Sequence, residues 1–318
     1  MKRLEAMANA QPSKVKTQTK KKPTGRVVPS ALDAVIPAIK AGDCERMFAT
    51  LGTKSVDTAD HQQNTALIHA IIENKPELVK ALITKGANVN RTNKLGNSAI
   101  LYAARRNLMD IVSMLIAAGA DVNARCASKE KHTFMTPVFL ASYHNHSELL
   151  QSLLDAKADL TVTNGYGENA LYFAALSGAA SCLSTLLDAG CDATMVTLRD
   201  EGKPKTALMV AAEEGHIEAV EVMIGKGVSV SAAAPDHTQP LHLACMEGRI
   251  DVARALVKAG ADPNAVNDSY LTPLIAAIMS GDEQCVEAII TLGADVNKPV
   301  NDTTPLAFAI SMNDEDVV

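Results

Sequence analysis

The sequence predicts a mainly α-helical solenoid of stacked helix-turn-helix units. Three observations carry this prediction: a segment that recurs about every 33 residues, a fixed apolar pattern in each copy, and few large aromatics. The stretch TPLIAAIMSGDEQCVEAIITLGADVN, residues 272–297, has a counterpart 33 residues earlier, QPLHLACMEGRIDVARALVKAGADPN, residues 239–264. Aromatic residues make up 3% of the chain and Trp is absent. We therefore expect small aliphatic side chains to fill thin helical layers.

Copies of this segment begin at eight positions, and we number each copy from its first residue as position zero. The intervals between them are 33, 38, 33, 37, 33, 33 and 32 residues. Position two is aliphatic and position five is Ala in every copy. The copies begin at Thr65, Ser98, Thr136, Asn169, Thr206, Gln239, Thr272 and Thr304. An in-phase period of this length is typical of repeat proteins, whose units bury their apolar faces only against neighbouring units.

Each copy predicts two short helices. Thr, Ser or Asn at position zero caps the first helix, and a Pro follows in four copies, where the first helical turn tolerates it. Gln239 is a poor cap. A break near position nine, often at Gly or Asn, separates the two helices. The second helix ends in a left-handed turn at position 21, which is Gly in every complete copy except at Lys157.

These residues resemble the ankyrin repeat family, whose signature runs T-P-L-H-x-A, then a Gly at the interhelical turn, then G-A-D-V-N. The resemblance covers roughly residues 31–318. It implies stacked helix-turn-helix units with β-hairpin-like finger loops that project from the helices. It also implies that a partner protein binds on the concave face and the finger loops.

The repeat register predicts a tail followed by an array. The predicted parts are a basic, disordered tail at residues 1–30 and an ankyrin-repeat array at 31–318, which comprises a capping repeat at 31–59, seven full repeats at 60–299 and a truncated repeat at 300–318. Extra residues before Thr136 and Thr206 lengthen finger loops and leave the helices unchanged. Because the last repeat stops before its second helix, we expect that the natural chain continues or that the sequence is a fragment.

Charge is distributed unevenly along the chain. Residues 1–26 have a balance of +7, which leaves −13 for the rest of a chain whose formal net charge is −6. Lys20, Lys21 and Lys22 form a cluster of the kind that serves nuclear import, and a solvated flexible leader is the alternative. The acidic body and the lack of aromatics in the tail argue against a nucleic-acid partner.

The location predicted from the sequence is cytoplasmic, with the nucleus as the alternative. No apolar run approaches the roughly 18 residues of a membrane span, and the N-terminus lacks the apolar stretch of a signal peptide. Six scattered cysteines without a CxxC motif predict reduced structural thiols. We therefore expect no membrane insertion.

No residue pattern in the sequence predicts catalysis, a cofactor or a metal site. His242 and His216 lie at repeat positions that favour His, because the imidazole ties neighbouring units together. His144 and His146 lack a third ligand at a spacing that zinc requires. The adjacent residues Glu213 and Glu214 cannot act as a facing acid and base, because neighbouring side chains on a helix diverge.

The predicted partner-binding residues occupy repeat positions that leave the core, at the end of each first helix and in the finger loops. They are Arg105, Arg106, Tyr143, His144, Tyr166, Glu213, Glu214, Met246, Glu247, Tyr270 and Met279. Tyr and Arg are over-represented among interface hot spots, and ordinary surface variation is the alternative for each residue singly. We expect Tyr143, Tyr166 and Tyr270 to be exposed, whereas Tyr102 and Tyr172 lie in the core.

The predicted function is that of a non-enzymatic adaptor that binds a partner protein or peptide. A groove with Arg105 and Arg106 near one end and acidic residues further along predicts a partner of the opposite charge order. Two alternatives stay open. The chain is the substrate-recruiting ankyrin portion of a larger enzyme, such as a kinase, acyltransferase or ubiquitin ligase, with its catalytic domain beyond residue 318. Otherwise it is an architectural spacer without a selective partner.

Overall fold

The computed structural model describes residues 30–126, 134–197 and 204–312. The predicted tail falls outside these ranges except for Ser30, as do the central residues of both predicted insertions and the end of the truncated repeat. The chain divides after residue 128 into two compact units. We call them unit 1, with described residues 30–126, and unit 2, with described residues 134–197 and 204–312.

Unit 1 contains three pairs of helices. They are α1 (Ile36–Ala41), α2 (Cys44–Leu51), α3 (Ala66–Ile72), α4 (Pro76–Thr84), α5 (Ala99–Arg105) and α6 (Met109–Ala117). The first helices α1, α3 and α5 pack side by side, and the second helices α2, α4 and α6 form a parallel layer behind them. Each pair therefore buries its apolar stripe against the next pair, as expected for repeats.

Unit 2 repeats this arrangement with five described pairs and one further first helix. They are α7 (Pro137–Tyr143), α8 (Ser147–Asp155), α9 (Ala170–Leu176), α10 (Ala180–Asp188), α11 (Ala207–Glu214), α12 (Ile217–Gly225), α13 (Pro240–Met246), α14 (Ile250–Lys258), α15 (Pro273–Ser280), α16 (Glu283–Thr291) and α17 (Pro305–Met312). Successive first helices contact one another from α7 to α17, and successive second helices from α8 to α16. The helical prediction is confirmed, and the described residues contain only two isolated β-bridges.

The helices end where the backbone turns left-handed, at the two repeat positions predicted for breaks. At position nine, Asn74 has φ 50° and Gly178 has φ 68°. At position 21, Gly86 has φ 82°, and Lys157 adopts φ 63° although it carries a side chain. Asn and Gly reach this region at lowest cost. The short helices thus follow from local backbone chemistry.

Some of these glycines are also needed for space. A Cβ atom built on Gly178 would lie 2.8 Å from Cγ of His216, and one on Gly215 would lie 2.7 Å from Cδ of Arg249. The His216 ring lies there because its Nε2 is 3.2 Å from the carbonyl oxygen of Leu176, at the end of α9. A side chain from one helix pair thus occupies the space above the preceding turn.

Most of the predicted N-terminal caps form, but the side chains of Ser98 and Gln239 do not cap their helices. The Thr136 hydroxyl accepts the N–H of Phe139 at 3.1 Å, and the Thr272 hydroxyl accepts that of Ile275 at 3.2 Å. The cap predicted at Ser98 is wrong, because its side chain makes no capping bond and its buried Oγ has no partner in the described residues. Gln239 also fails to cap, as expected, and His242 Nδ1 accepts its backbone N–H at 3.2 Å instead.

Candidate partner-binding surface

The first helices α7, α9, α11, α13 and α15 of unit 2 are buried along most of their length and become half-buried or exposed at their C-terminal ends. In α13, residues 240–245 are buried, Met246 is half-buried, and Glu247 just beyond the helix is exposed. In α15, residues 273–278 are buried and Met279 is 42% exposed. The repeating positions are occupied by packing against neighbouring helices. The side chains left for recognition are therefore those that differ between repeats.

The predicted tyrosines are only partly where the sequence suggested. Tyr270 is 54% exposed, whereas Tyr143 and Tyr166 are half-buried. Tyr172 is buried in α9, as expected. Tyr102 is half-buried, not in the core as expected, and its hydroxyl oxygen accepts a hydrogen bond from Asn93 Nδ2 at 3.0 Å. An aromatic ring at a helix end can lie on neighbouring rings or backbone, which the repeat register does not reveal.

A small aromatic group surrounds the turn between α7 and α8. The Tyr143 and His144 rings meet edge-to-face with centroids 5.2 Å apart, and the His144 and His146 rings stack at 5.6 Å. Both histidines are half-buried. Nowhere in the described ranges do three His, Cys, Asp or Glu side chains come together in a way that could hold a metal.

The acidic residues Glu213 and Glu214 lie half-buried at the end of α11. The Glu213 carboxylate forms an ion pair with the Lys205 ammonium, and its carbonyl oxygen accepts the Nε–H of Arg249 at 3.1 Å. Glu213 therefore joins two helix pairs of unit 2. Glu214 and Glu247 remain as negative side chains on this rim.

The arginines of unit 1 have contrasting surroundings. Arg106 is exposed, but its guanidinium donates to the Ile71 carbonyl at 2.9 Å and also to the Ile72 carbonyl, at the C-terminal end of α3. These two bonds supply donors for carbonyl oxygens that have no hydrogen-bond partner within the helix at its C-terminal end. Arg105 is half-buried, and its Nε is buried without an acceptor in the described residues. Arg106 has a structural use that the sequence did not indicate.

Three finger loops close through a five-residue turn that an Asn side chain stabilises. In residues 267–271, the backbone N–H of Asn267 donates to the Leu271 carbonyl at 3.1 Å. The Asn267 side-chain oxygen accepts the N–H groups of Ser269 at 3.0 Å and Leu271 at 2.9 Å. Asn93 and Asn164 accept the same pair of bonds in their own fingers. These contacts define rigid tips of hairpin-like form.

Adjacent finger tips are joined directly in unit 2. The backbone N–H of Asp268 donates to the Asp236 carbonyl at 2.9 Å, which connects the finger 267–271 to the finger 234–238. The His237 Nδ1 and an Asp268 carboxylate oxygen are 2.6 Å apart, with both side chains more than half exposed. Sequence reasoning missed His237 and Asp268 as members of this surface.

His237 and Tyr270 share an unusual backbone conformation. Their φ angles are 58° and 57°, and the corresponding residues in two other fingers, Gly96 and Gly167, are glycines with φ 71° and 72°. A bulky residue in this region is uncommon and carries a backbone cost. Reading the fingers in register, with Gly expected at this position, would have identified both residues.

The buried histidine of α13 has a structural role, as predicted. His242 Nε2 lies 3.2 Å from the Ala265 carbonyl oxygen and 3.1 Å from that of Leu271, so it donates to the following finger. Because Nδ1 accepts the Gln239 N–H, Nε2 carries the proton. Burial lowers the pKa of His242 below its usual 6.5, although its bonds to the two carbonyls act in the opposite direction.

The cysteines have the character of packing residues. No disulfide joins any of the six, all of which lie in the described ranges. Burial raises the pKa of Cys182 and of Cys191 to about 11. The Cys285 thiol points to the Cys245 carbonyl oxygen at 3.7 Å. With so high a pKa, the thiols of Cys182 and Cys191 are poor nucleophiles at neutral pH.

The cavity in unit 1 has a mainly apolar lining. It encloses about 250 Å³ between α4 and α6 and is lined by Lys80, Ile83, Thr84, Met114, Ala117 and Ala118. Its only ionisable lining residue is Lys80. A single cation beside apolar atoms lacks the second titratable group that acid–base chemistry normally uses.

The described helices include none with both the length and the apolar character needed to cross a membrane.

Three proteins with similar sequences are each longer than this chain. A murine B-cell lymphoma 3 protein homolog is 29% identical over 198 residues, which are 61% of this chain and 35% of that protein. The ankyrin repeat and KH domain-containing protein mask-1 of Caenorhabditis elegans is 26% identical over 51% of this chain and 6% of its own length. The murine nuclear factor NF-kappa-B p105 subunit is 30% identical over 33% of this chain and 11% of its own length. The chain thus spans about a third of the first relative and much less of the others.

Among solved structures, the ankyrin repeat domain of Bcl-3, described as a unique member of the IkappaB protein family, is similar to this chain. It superposes with a TM-score of 0.61 and 25% sequence identity, covering 71% of this chain and 98% of the Bcl-3 domain. A family model of three ankyrin repeats matches residues 35–126, 194–267 and 259–318, and a model of many ankyrin repeats matches residues 138–187. Stacked ankyrin repeats of this kind form a protein-interaction module. By these matches, this chain belongs to the ankyrin repeat family.

Proposed function

We propose that the chain is a non-enzymatic adaptor that binds a segment of a partner protein on its concave, finger-bearing face. One observation carries the proposal: the first helices α7, α9, α11, α13 and α15 of unit 2 bury their repeating positions, and the residues left half-buried or exposed at their C-terminal ends differ between repeats. Examples are half-buried Met246 at the end of α13, exposed Glu247 just beyond it and exposed Met279 in α15. Selective recognition needs side chains that distinguish one place on a repetitive surface from another, and these residues meet that need.

The rigidity of the surface also favours binding. Successive first helices contact one another throughout unit 2, and the finger tips are held by side-chain and backbone hydrogen bonds. A preformed surface loses little conformational entropy when a partner docks. Most of the ordering cost would then fall on the partner segment.

The named relatives favour this class of function over the enzyme alternative. Their descriptions are of an ankyrin repeat domain, proteins with ankyrin repeats and KH domains, and a subunit of a nuclear factor. None of these descriptions is of an enzyme. Because the chain spans only part of each relative's length, partner identity is not carried over from them.

We assign the partner-binding role first to the surface of unit 2. Arg106 in unit 1 already donates to two helix-end carbonyls, and Glu213 is engaged by Lys205. Glu247 and Met279 are exposed and carry no such contact in the described residues. They are therefore better anchors for a partner than the two residues already engaged within the fold.

Affinity capture from a cell lysate followed by mass spectrometry tests the adaptor function. The full chain is compared with Glu247→Lys/Met279→Ser and with Glu287→Lys, a charge reversal on the exposed side of α16. We expect a reproducible partner whose recovery falls with the first variant and is unchanged with the second. Equal recovery of a selective partner with both variants would contradict the assignment to Glu247 and Met279, whereas no selective partner at all would favour the architectural spacer.

We also propose that the chain resides in the cytoplasm and enters the nucleus through its basic tail. The cluster Lys20, Lys21 and Lys22 supports this idea. A fluorescent fusion of the full chain should lose nuclear signal when the three lysines are changed to Ala. Unchanged distribution would assign the cluster to a solvated leader.

A further inference from the structure

The tips of the fingers 234–238 and 267–271 present an aromatic ring that the fold itself does not use. Tyr270 is 54% exposed, and its side chain makes no hydrogen bond, ion pair or ring contact with the described residues. Its backbone is left-handed, with φ 57°. A glycine would adopt this turn at lower cost, as Gly167 does in an earlier finger of the same unit. The ring is therefore not required for the turn.

Acidic residues lie in the two finger tips and at the end of α13. Asp268 lies two residues before Tyr270 with a largely exposed carboxylate, and the tip of the neighbouring finger brings Asp236 beside it through the bond from the Asp268 N–H to the Asp236 carbonyl. Glu247 is exposed at the end of α13, the first helix that follows the finger 234–238. His237 is the one basic side chain of the two tips, and it is bound to Asp268. The potential here favours a cation.

An apolar side chain lies on the same repeat as the ring. Met279 is 42% exposed and lies in the last turn of α15. This helix begins directly after the finger that carries Tyr270. An aromatic face, carboxylates and a flexible thioether together favour a ligand with both a cationic and an apolar group. Such a ligand has a planar or compact cation for the ring face and an apolar neighbour for the methionine.

We propose that these two finger tips bind an extended peptide segment of the partner through an arginine or lysine side chain that lies on the Tyr270 ring. The carboxylates of Asp236 and Asp268 flank the cation, and the next apolar residue of the segment packs on Met279. This inference rests on the proposed function and adds the chemistry of the partner. Arginine suits the site better than lysine, because its planar guanidinium stacks on an aromatic face and bonds a carboxylate at once.

Fluorescence anisotropy with the full chain tests this assignment. The probe is a labelled peptide of repeated Gly-Arg-Leu units, compared with the same peptide carrying Glu or Ser in place of Arg. We expect only the arginine peptide to bind, with affinity that falls as salt is raised through about 0.15 M. Equal binding of the serine peptide would overturn the cationic assignment, as would failure of the arginine peptide to bind.

Substitutions of Tyr270 separate recognition from folding. Tyr270→Gly removes the ring and relieves the left-handed backbone, so we expect roughly tenfold weaker peptide binding together with a Tm that is unchanged or raised by about 2 °C. Tyr270→Phe keeps the ring face and should bind like the wild type. Wild-type affinity in Tyr270→Gly would overturn the proposal, as would equal loss in Tyr270→Phe.

A matched control exists in unit 1. Gln63 occupies the corresponding finger position with φ 64°, so Gln63→Gly relieves the same backbone conformation at a tip without an aromatic ring. It should leave peptide affinity unchanged. The two proposals can fail separately. If capture of the partner from lysate requires Glu247 and Met279 but is unchanged by Tyr270→Gly, and peptide binding does not depend on the peptide's charge, the adaptor function stands and this inference fails.

Discussion

Units 1 and 2 make the same interhelical turn under different steric conditions. In unit 1, the nearest atom to a Cβ built on Gly42 is Cδ of Lys75, at an ordinary 3.6 Å. In unit 2, the corresponding distances at Gly178, Gly215 and Gly248 are 2.8, 2.7 and 2.9 Å. Unit 1 also places asparagine, Asn74 and Asn107, at two of these turns. The left-handed backbone alone therefore accepts Asn or Gly, whereas a side chain leaning over the turn requires Gly.

The exception within unit 2 supports this explanation. Asn145 holds the turn after α7 with φ 55°. The residue that would lean over it, ten positions into the next copy as His216 is, is Ala179. A single methyl group leaves room for the asparagine side chain. Among these turns of unit 2, Asn therefore occurs where the following copy supplies only Ala, and Gly occurs where it supplies a longer side chain.

The largest expected effect comes from crowding one of these turns. Gly178→Ala adds a left-handed non-glycine residue and displaces the His216 ring from the Leu176 carbonyl, so we expect a loss of about 2–3 kcal/mol in the free energy of unfolding. Gly86→Ala is the control, because Gly86 has φ 82° with nothing within 4 Å of its Cβ. It should lose only about 1–2 kcal/mol. Equal losses in urea unfolding would show that crowding contributes nothing.

The units should also differ in their response to acid. The pKa of His242 is lowered by burial, so the unfolded chain takes up this proton first as the pH falls. The contribution of neutral His242 is therefore complete above about pH 6.5 and declines below it. His242→Leu removes this dependence and costs about 2 kcal/mol at neutral pH, since the Ala265 and Leu271 carbonyls lose their donor.

Unit 1 has an acid-sensitive contact that acts at lower pH. Burial alone would raise the pKa of Asp60, but hydrogen bonds from His69 and Asn64 hold it below its usual 3.8. Its contribution is present above that value and is lost as the pH falls through the lowered pKa. Hydrogen exchange should show protection of Gln239 falling below about pH 6.5, while Asn64 stays protected to about pH 4. Simultaneous loss at both amides would contradict the assignment.

A smaller difference is expected at the helix caps. Thr136→Ala in unit 2 removes a bond to the Phe139 N–H and should cost about 1 kcal/mol. Ser98→Ala in unit 1 removes a buried hydroxyl without a partner in the described residues, so stability should be unchanged or slightly higher. Thermal unfolding of the two variants side by side checks this. A cost at Ser98 as large as that at Thr136 would mean that Ser98 caps its helix after all.

The smallest effect is expected at a surface ion pair. Lys226 Nζ lies 2.6 Å from an Asp188 carboxylate oxygen, and 63% of the Asp188 side chain is exposed. Solvent screens such a pair, so Lys226→Ala should change the free energy of unfolding by no more than about 0.5 kcal/mol. The change should vanish in high salt. A larger, salt-independent loss would point to packing of the Lys226 stem.

Among the candidate site residues, the sequence identified those at the ends of the first helices but not their surroundings. Met279 and Tyr270 are exposed, as the register suggested. Arg106 donates to the Ile71 carbonyl of the preceding helix pair, and the Glu213 carbonyl oxygen accepts from Arg249 of the following pair. The partner-binding role of the whole predicted set stays a prediction.

The sequence by itself determined the period, the paired helices and their left-handed breaks, because caps, apolar spacing and turn residues act over a few neighbouring positions. Only the tertiary structure decided which polar side chains are already used. Arg106 reaches Ile71 and His237 reaches Asp268 across separations of 35 and 31 residues. Contacts across a whole repeat depend on how neighbouring pairs stack and on which rotamer spans the gap, and no local pattern encodes either.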